Sequence, residues 1–133
     1  MSTPEPRPEI DDDIIELAGL VFDAARAGDT EGIRGYLDAG VPVNLTNGSG
    51  DTLVMLASYH GHENLTALLV ERGADVNTHN DRGQTPLAGA VFKGHTGIFR
   101  ILLEGGADPD AGSPSARDTA GFFKRQEMLD LLG

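Results

Sequence analysis

The sequence predicts an all-α repeat solenoid built from about four helix-turn-helix units. Glycines recur at a step of about 33 residues, as in Gly28, Gly61 and Gly94, and several alanines follow the same step. Between these glycines, apolar residues are spaced three and four apart, which is the period of a helix with one buried face. Hydrophobic content is 39% and aromatic content 5%, as expected for a thin, elongated core. Because each unit of a solenoid contacts only its neighbours, one long face is left for binding.

The first unit follows an acidic, proline-rich segment. Residues 1–12 are predicted to be a disordered tail, and residues 13–133 to form the repeat domain. The run Asp11–Asp13 is expected to cap a helix over residues 14–27. The buried face of that helix is predicted to contain Ile14, Leu17, Leu20, Val21, Ala24 and Ala25. A second helix is predicted over residues 30–38, ended by Gly40, and its buried face contains Ile33, Tyr36 and Leu37.

The later units repeat this plan. Thr52 is predicted to cap a helix over residues 53–60, and a second helix runs over residues 63–71, with Leu65, Leu68 and Leu69 facing inward. In the third unit, Thr85 and Pro86 begin the first helix. The buried stripe of its second helix is predicted to be Ile98, Ile101 and Leu102, and the last unit is expected to close with Leu129, Leu131 and Leu132. The predicted boundaries are 14–46, 47–79, 80–110 and, for a capping repeat, 111–133.

Several motifs resemble the ankyrin repeat. They include Gly83-Gln84-Thr85-Pro86-Leu87 and Gly94-His95, and the triplets Gly73-Ala74-Asp75 and Gly106-Ala107-Asp108. The resemblance implies an L-shaped stack with short β-hairpin fingers, acting as a protein-binding module through the fingers and the inner helices. The histidine that ends the family's Thr-Pro-Leu-His motif is replaced by Met55 and Ala88, so we expect a modestly stable stack.

Composition narrows the classes of function. The formal net charge is −11, with six of the 21 acidic residues among the first 16 positions, so direct nucleic-acid binding is disfavoured. No stretch of about 18 apolar residues exists that could span a membrane, and the N-terminus does not resemble a secretory signal. There are no cysteines. We therefore expect a cytoplasmic chain that is monomeric when free.

No catalytic, cofactor or metal site is predicted. The chain has no nucleophile-elbow motif, and Asn47-Gly48-Ser49-Gly50 is interpreted as a turn on a finger. His60-Gly61-His62 could suggest zinc, but residues two apart do not share a helix face. His62 has a repeat partner in His95 and is expected to bond the turn between helices.

The candidate binding residues vary while the repeat frame stays fixed. A pair of residues precedes each glycine between helices, and in these pairs Tyr59, Phe92 and Phe122 are predicted to form an exposed aromatic row on the inner helices. Phe123 is expected instead to fill space between adjacent inner helices or to cover the end of the stack. With the fingertips, the candidate partner-binding set is Arg26, Asn47, Ser49, Asp51, Tyr59, His60, His79, Asp81, Arg82, Gln84, Phe92, Lys93 and Phe122.

Three functional readings follow from the sequence. The first is an adaptor or inhibitor that binds another protein through this groove and the fingertips. The second is an acidic mimic of nucleic acid that blocks a basic enzyme, through Asp51, Asp75, Asp81, Asp108 and Asp110. The third is self-association through the end of the stack around Phe122, Phe123 and Met128.

Overall fold

The computed structural model describes residues 7–133, with side chains from residue 13 onward. The described chain contains eight helices arranged as four consecutive pairs. They are α1 (Arg7–Ala27), α2 (Thr30–Asp38), α3 (Leu53–Tyr59), α4 (Glu63–Glu71), α5 (Pro86–Lys93), α6 (Thr96–Glu104), α7 (Ala116–Phe122) and α8 (Gln126–Leu132).

The helix pairs stack side by side, which confirms the predicted all-α solenoid. The first helices pack in one row, with α1 against α3, α3 against α5 and α5 against α7. The second helices α2, α4 and α6 form a parallel row on the outer side. The core is the seam between the rows, and it is filled by buried side chains from both, among them Leu53 and Leu65 of the second unit and Leu87, Phe99 and Leu102 of the third.

Threonine caps begin the inner helices as predicted. The Thr52 hydroxyl accepts a hydrogen bond from the Met55 amide at 3.2 Å, and Thr85 accepts one from Ala88 at the same distance. Both threonines are buried, so their caps also satisfy polar groups inside the stack. Pro86 occupies the first turn of α5, where its missing N–H costs nothing.

The first helix differs from its prediction. It already includes residues 7–13, so Asp11–Asp13 lie within it rather than capping it, and the expected tail over 1–12 is helical from Arg7. Residues 1–6 lie outside the described part of the chain. The inner face also starts later, because Ile14, Leu17 and Leu20 are exposed. The reason is length: α1 has 21 residues and its neighbour α3 only 7, so the N-terminal turns of α1 have no helix to pack against.

Two core assignments in the later units were wrong. In α6 the buried residues are Ile98, Phe99 and Leu102, whereas Ile101 is only partly covered. In α8 the buried residue is Met128, so the proposed self-association surface cannot include it. Leu129, Leu131 and Leu132 pack against the core from partly buried positions. Several apolar residues of a helix can lie on or beside the same face, so the helical period alone does not predict which of them is fully buried.

The expected β-hairpin fingers are turns with isolated bridges, and the described residues include no extended strand. One such bridge joins Thr46 to Thr52. Asparagine side chains satisfy the backbone in place of a ladder: Asn47 Oδ1 accepts from the amides of Ser49 and Asp51, each at 2.9 Å. The fingers are therefore held by side-chain hydrogen bonds from one residue per turn.

Between α7 and α8 a lysine occupies a position that favours glycine. Lys124 has φ +55°, and the equivalent residues of the two preceding units are Gly61 and Gly94, with φ +83° and +76°. A left-handed backbone costs a residue with a Cβ about 1–2 kcal/mol.

We expect Lys124→Gly to raise the free energy of unfolding by about 0.5–1 kcal/mol, since relief of this strain exceeds the added entropy of the unfolded chain. Urea denaturation measures the change, and Lys124→Ala is the matched control because it removes the charge but keeps the Cβ. A glycine variant no more stable than the alanine variant would contradict the prediction.

Candidate functional site

An apolar groove of about 640 Å³ runs across the inner helices. Its floor is α5, which contributes the small residues Ala88 and Gly89. Side chains of α3 form one wall, and side chains of α7 form the other. The groove lining is Met55, Ser58, Tyr59, Gln84, Thr85, Pro86, Ala88, Gly89, Phe92, Pro114, Asp118, Thr119, Phe122 and Phe123.

The predicted aromatic row lies in this groove, and its exposure is confirmed. The exposed fractions of Tyr59, Phe92 and Phe122 are 41%, 49% and 80%. Each ring stands at the C-terminal end of its inner helix because the three residues occupy the same position of successive units. Rings this large are seldom left in solvent at equivalent positions of one surface, and such a patch is typical of an interaction site.

Phe123 also belongs to the groove, where it packs between α5 and α7, the first of its two predicted placements. Its ring centroid lies 5.0 Å from that of Phe122 and 5.5 Å from that of Phe92, both edge-to-face. The guanidinium of Arg125 lies 5.7 Å from its centroid. The alignment of Phe122-Phe123 with Phe92-Lys93 in the repeat frame did not decide between these placements, because the ring position depends on how α7 packs against α5.

Positive charge lies beside the aromatic row. Lys93 places its Nζ 4.8 Å from the centroid of the Tyr59 ring, a cation–π contact between neighbouring units. The pKa of His60 is lowered, first by partial burial and then by the positive groups of His62, Lys93 and Arg26. Side chains of three successive units therefore create a positive potential at this end of the groove.

The turn next to the groove is tied from one unit to the next. His62 donates from Nε2 to the carbonyl oxygen of Arg26 at 2.6 Å, which confirms the structural role predicted for this histidine. In the last unit Arg125 takes the equivalent place and donates to the carbonyls of Val91 and Phe92, at 3.2 and 3.1 Å. The corresponding Nε2 of His95 is buried and makes no hydrogen bond within the described chain.

The predicted fingertip residues divide into two groups. Asp51, Arg82 and Gln84 line a second recess of about 310 Å³, together with Met55, Leu56, Tyr59 and His60. The others, Asn47, Ser49, Asp81 and His79, line neither recess.

Asn80, a side chain outside the candidate set, organises this finger. Its Nδ2 donates to Asp51 Oδ1 at 2.9 Å and to Gln84 Oε1 at 2.7 Å, and its Oδ1 accepts from the amides of Arg82 and Gln84, each at 2.9 Å. The polar side of the second recess is thereby fixed in place.

Among the side chains of residues 13–133, no cluster of three or more histidine or acidic groups could hold a metal ion. Within the same range, no helix combines the length and apolarity needed to cross a bilayer.

A stack of helix pairs with an exposed groove on its inner row defines a helical repeat protein of the binding type. Residues 21–113 match the family model described as ankyrin repeats in three copies. The match covers more than half of the chain, so this chain belongs to the ankyrin-repeat family. Over 66 residues it is also 46% identical to a Pseudomonas aeruginosa protein named as an ankyrin repeat protein, PA3287. That alignment covers 50% of this chain and 39% of the relative, so the chain matches well under half of the relative's length.

Proposed function

We propose that this chain is a non-catalytic binding module that engages a partner protein through the aromatic groove and the adjoining fingertips, as an adaptor or inhibitor. Ankyrin repeats generally mediate protein–protein interaction. The observation that carries the proposal is the exposure of Tyr59, Phe92, Phe122 and Phe123 in one groove. Aromatic anchors in a pocket supply most of the binding energy of typical interfaces, and a standard interface buries about 800 Å² on each partner.

The groove is suited to receive a side chain rather than a flat surface. Its floor is low at Ala88 and Gly89, while Tyr59 and Phe122 rise on the two sides. A partner's apolar side chain placed there would contact rings from three units at once. Since the rings are already partly covered by one another, little side-chain entropy is lost when they bind.

The acidic-mimic alternative has weaker support. Four of its five carboxylates already accept hydrogen bonds within the chain: Asp51 from Asn80, Asp75 from Asn77, Asp108 from Asp110, and Asp110 from Arg117. Carboxylates that hold local turns are less available to imitate a regular array of phosphates. A strongly basic partner bound at the fingertips would favour this alternative over the groove.

The test begins with capture at the groove itself. A photo-crosslinking amino acid at position 122 should couple the partner in native extract, whereas the same group at position 15, exposed on α1 away from the groove, should not. The purified partner is then titrated by calorimetry against the native chain and its variants.

We expect Tyr59→Ala and Phe92→Ala each to weaken the complex by about 1–3 kcal/mol while leaving the melting temperature nearly unchanged, because both rings are half exposed. Ile15→Ala is the matched control, since it also removes an exposed apolar side chain. Unfolding of both aromatic variants would assign the rings to the core and refute the proposal. Equal crosslinking at positions 122 and 15 would do the same.

A further inference from the structure

The C-terminal ends of the inner helices carry a row of cations that the proposed function does not explain. We call Arg26, Lys93 and Lys124 the cationic edge. Arg26 lies in the last turn of α1, Lys93 ends α5 and Lys124 follows α7, and the two lysines stand next to the groove residues Phe92 and Phe123. The chain has only 10 lysines and arginines against 21 acidic residues, so this grouping runs against its overall charge of −11.

Contacts show that the cationic edge is continuous with the groove. Lys93 reaches back to the Tyr59 ring of the preceding unit, 4.8 Å from its centroid. Arg125 lies beside the Phe123 ring and is therefore a fourth cation at the same end. The row is not fully free, since Arg26 pairs with Asp23 at 3.0 Å. Both members of that pair are largely exposed, so its attraction is weak and easily exchanged for another carboxylate.

Helix carbonyls do not cancel this positive charge. The C-terminus of a helix is partly negative because its last carbonyls lack partners. Here the carbonyl of Arg26 accepts from His62, and those of Val91 and Phe92 accept from Arg125. The acidic residues of the fingertips precede the inner helices, whereas the cationic edge lies at the C-terminal ends of these helices.

Resting on the proposed function, we propose that the partner segment in the groove is acidic: its apolar side chains enter the groove, and its carboxylates meet the cationic edge. The two halves of this recognition are adjacent in the third and fourth units, which suits a segment with acidic and apolar residues close together. A single-stranded nucleic acid would also offer negative charge and stacking bases. It is less favoured because these few cations compete with a net charge of −11.

A displayed library of random peptides tests whether the segment that binds the groove is negatively charged. Peptides are selected on the native chain and again on the Tyr59→Ala/Phe92→Ala variant. We expect sequences enriched on the native chain alone to combine an apolar anchor with an excess of acidic residues. Enriched peptides that are neutral or basic would overturn the acidic assignment while leaving the groove as a binding site. No difference in enrichment between native chain and variant would remove the groove itself, and this inference with it.

The best acidic peptide is then synthesised with a fluorescent label. We expect Lys93→Glu to reduce its affinity about tenfold, mainly through slower association, and to flatten the salt dependence. Arg34→Glu is the matched control, because Arg34 lies on the outer helix α2, pairs with Glu31 of the same helix and lines no part of the groove, so its reversal should change affinity less than about twofold. Equal effects of the two reversals would overturn the inference, as would tighter binding of a labelled oligothymidylate than of the peptide.

Discussion

Replacing Phe99 with alanine should lower the free energy of unfolding by about 3–5 kcal/mol, because the ring is removed from a site with no exposure and leaves a cavity. Phe99 heads the fully buried side chains of the stack in size. It lies on α6, which packs against α4 and α5, so its loss weakens contacts within one unit and between two. Domains are typically stable by only about 5–15 kcal/mol, so this variant should be close to its unfolding threshold.

Urea denaturation followed by circular dichroism measures the effect. Ile101→Ala on the same helix is the matched control, since this side chain is only partly covered and should cost about 1 kcal/mol. The comparison also decides between the helix face that the apolar pattern suggested and the face that packing selects. Equal losses for the two variants would show that Phe99 is not the centre of the third unit.

Asn80→Ala is expected to cost about 2–4 kcal/mol, the second largest effect. The side chain is 6% exposed and makes four hydrogen bonds in the finger before α5. Its removal leaves the amides of Arg82 and Gln84 without their acceptor, and an unsatisfied buried group costs about 1–3 kcal/mol. Because Asp51 and Gln84 also lose a donor, the second recess should lose its shape as well.

The equivalent residue of the preceding finger provides the control. Asn47 accepts the same two hydrogen bonds from backbone amides, but it is less buried and makes no side-chain to side-chain hydrogen bond within the described chain. Asn47→Ala should therefore cost roughly 1 kcal/mol. Chemical denaturation of the two variants measures the difference, and an Asn47 variant as unstable as the Asn80 variant would contradict the role assigned to the Asn80 network.

The sequence predicted the fold well where local chemistry decides the structure. Thr52, Thr85 and Pro86 start helices through interactions within a few residues, and the glycine step sets the length of each unit. The prediction failed where packing against a neighbouring helix decides which side chains are buried. Ile14 and Leu17 follow the same apolar period as Val21, but only Val21 has another helix beside it.

The candidate site shows the same division. The exposed row of Tyr59 and Phe92 followed from the repeat frame, because residues that the frame does not need for its core tend to face outward. Phe123 could not be placed in this way, since its ring position depends on how α7 sits against α5. Asn80 resembles an ordinary turn residue in sequence, and only the burial of its amide reveals how many partners it has.

The far wall of the groove belongs to the terminal helix pair, and Arg125 of that pair also holds the last carbonyls of α5. Fraying of the C-terminal unit would thus dismantle half of the recognition surface in the same event. Binding of the partner and docking of the last unit against α5 are therefore coupled equilibria. A bound partner should stabilise the last unit, and its measured affinity includes the free energy needed to keep that unit docked.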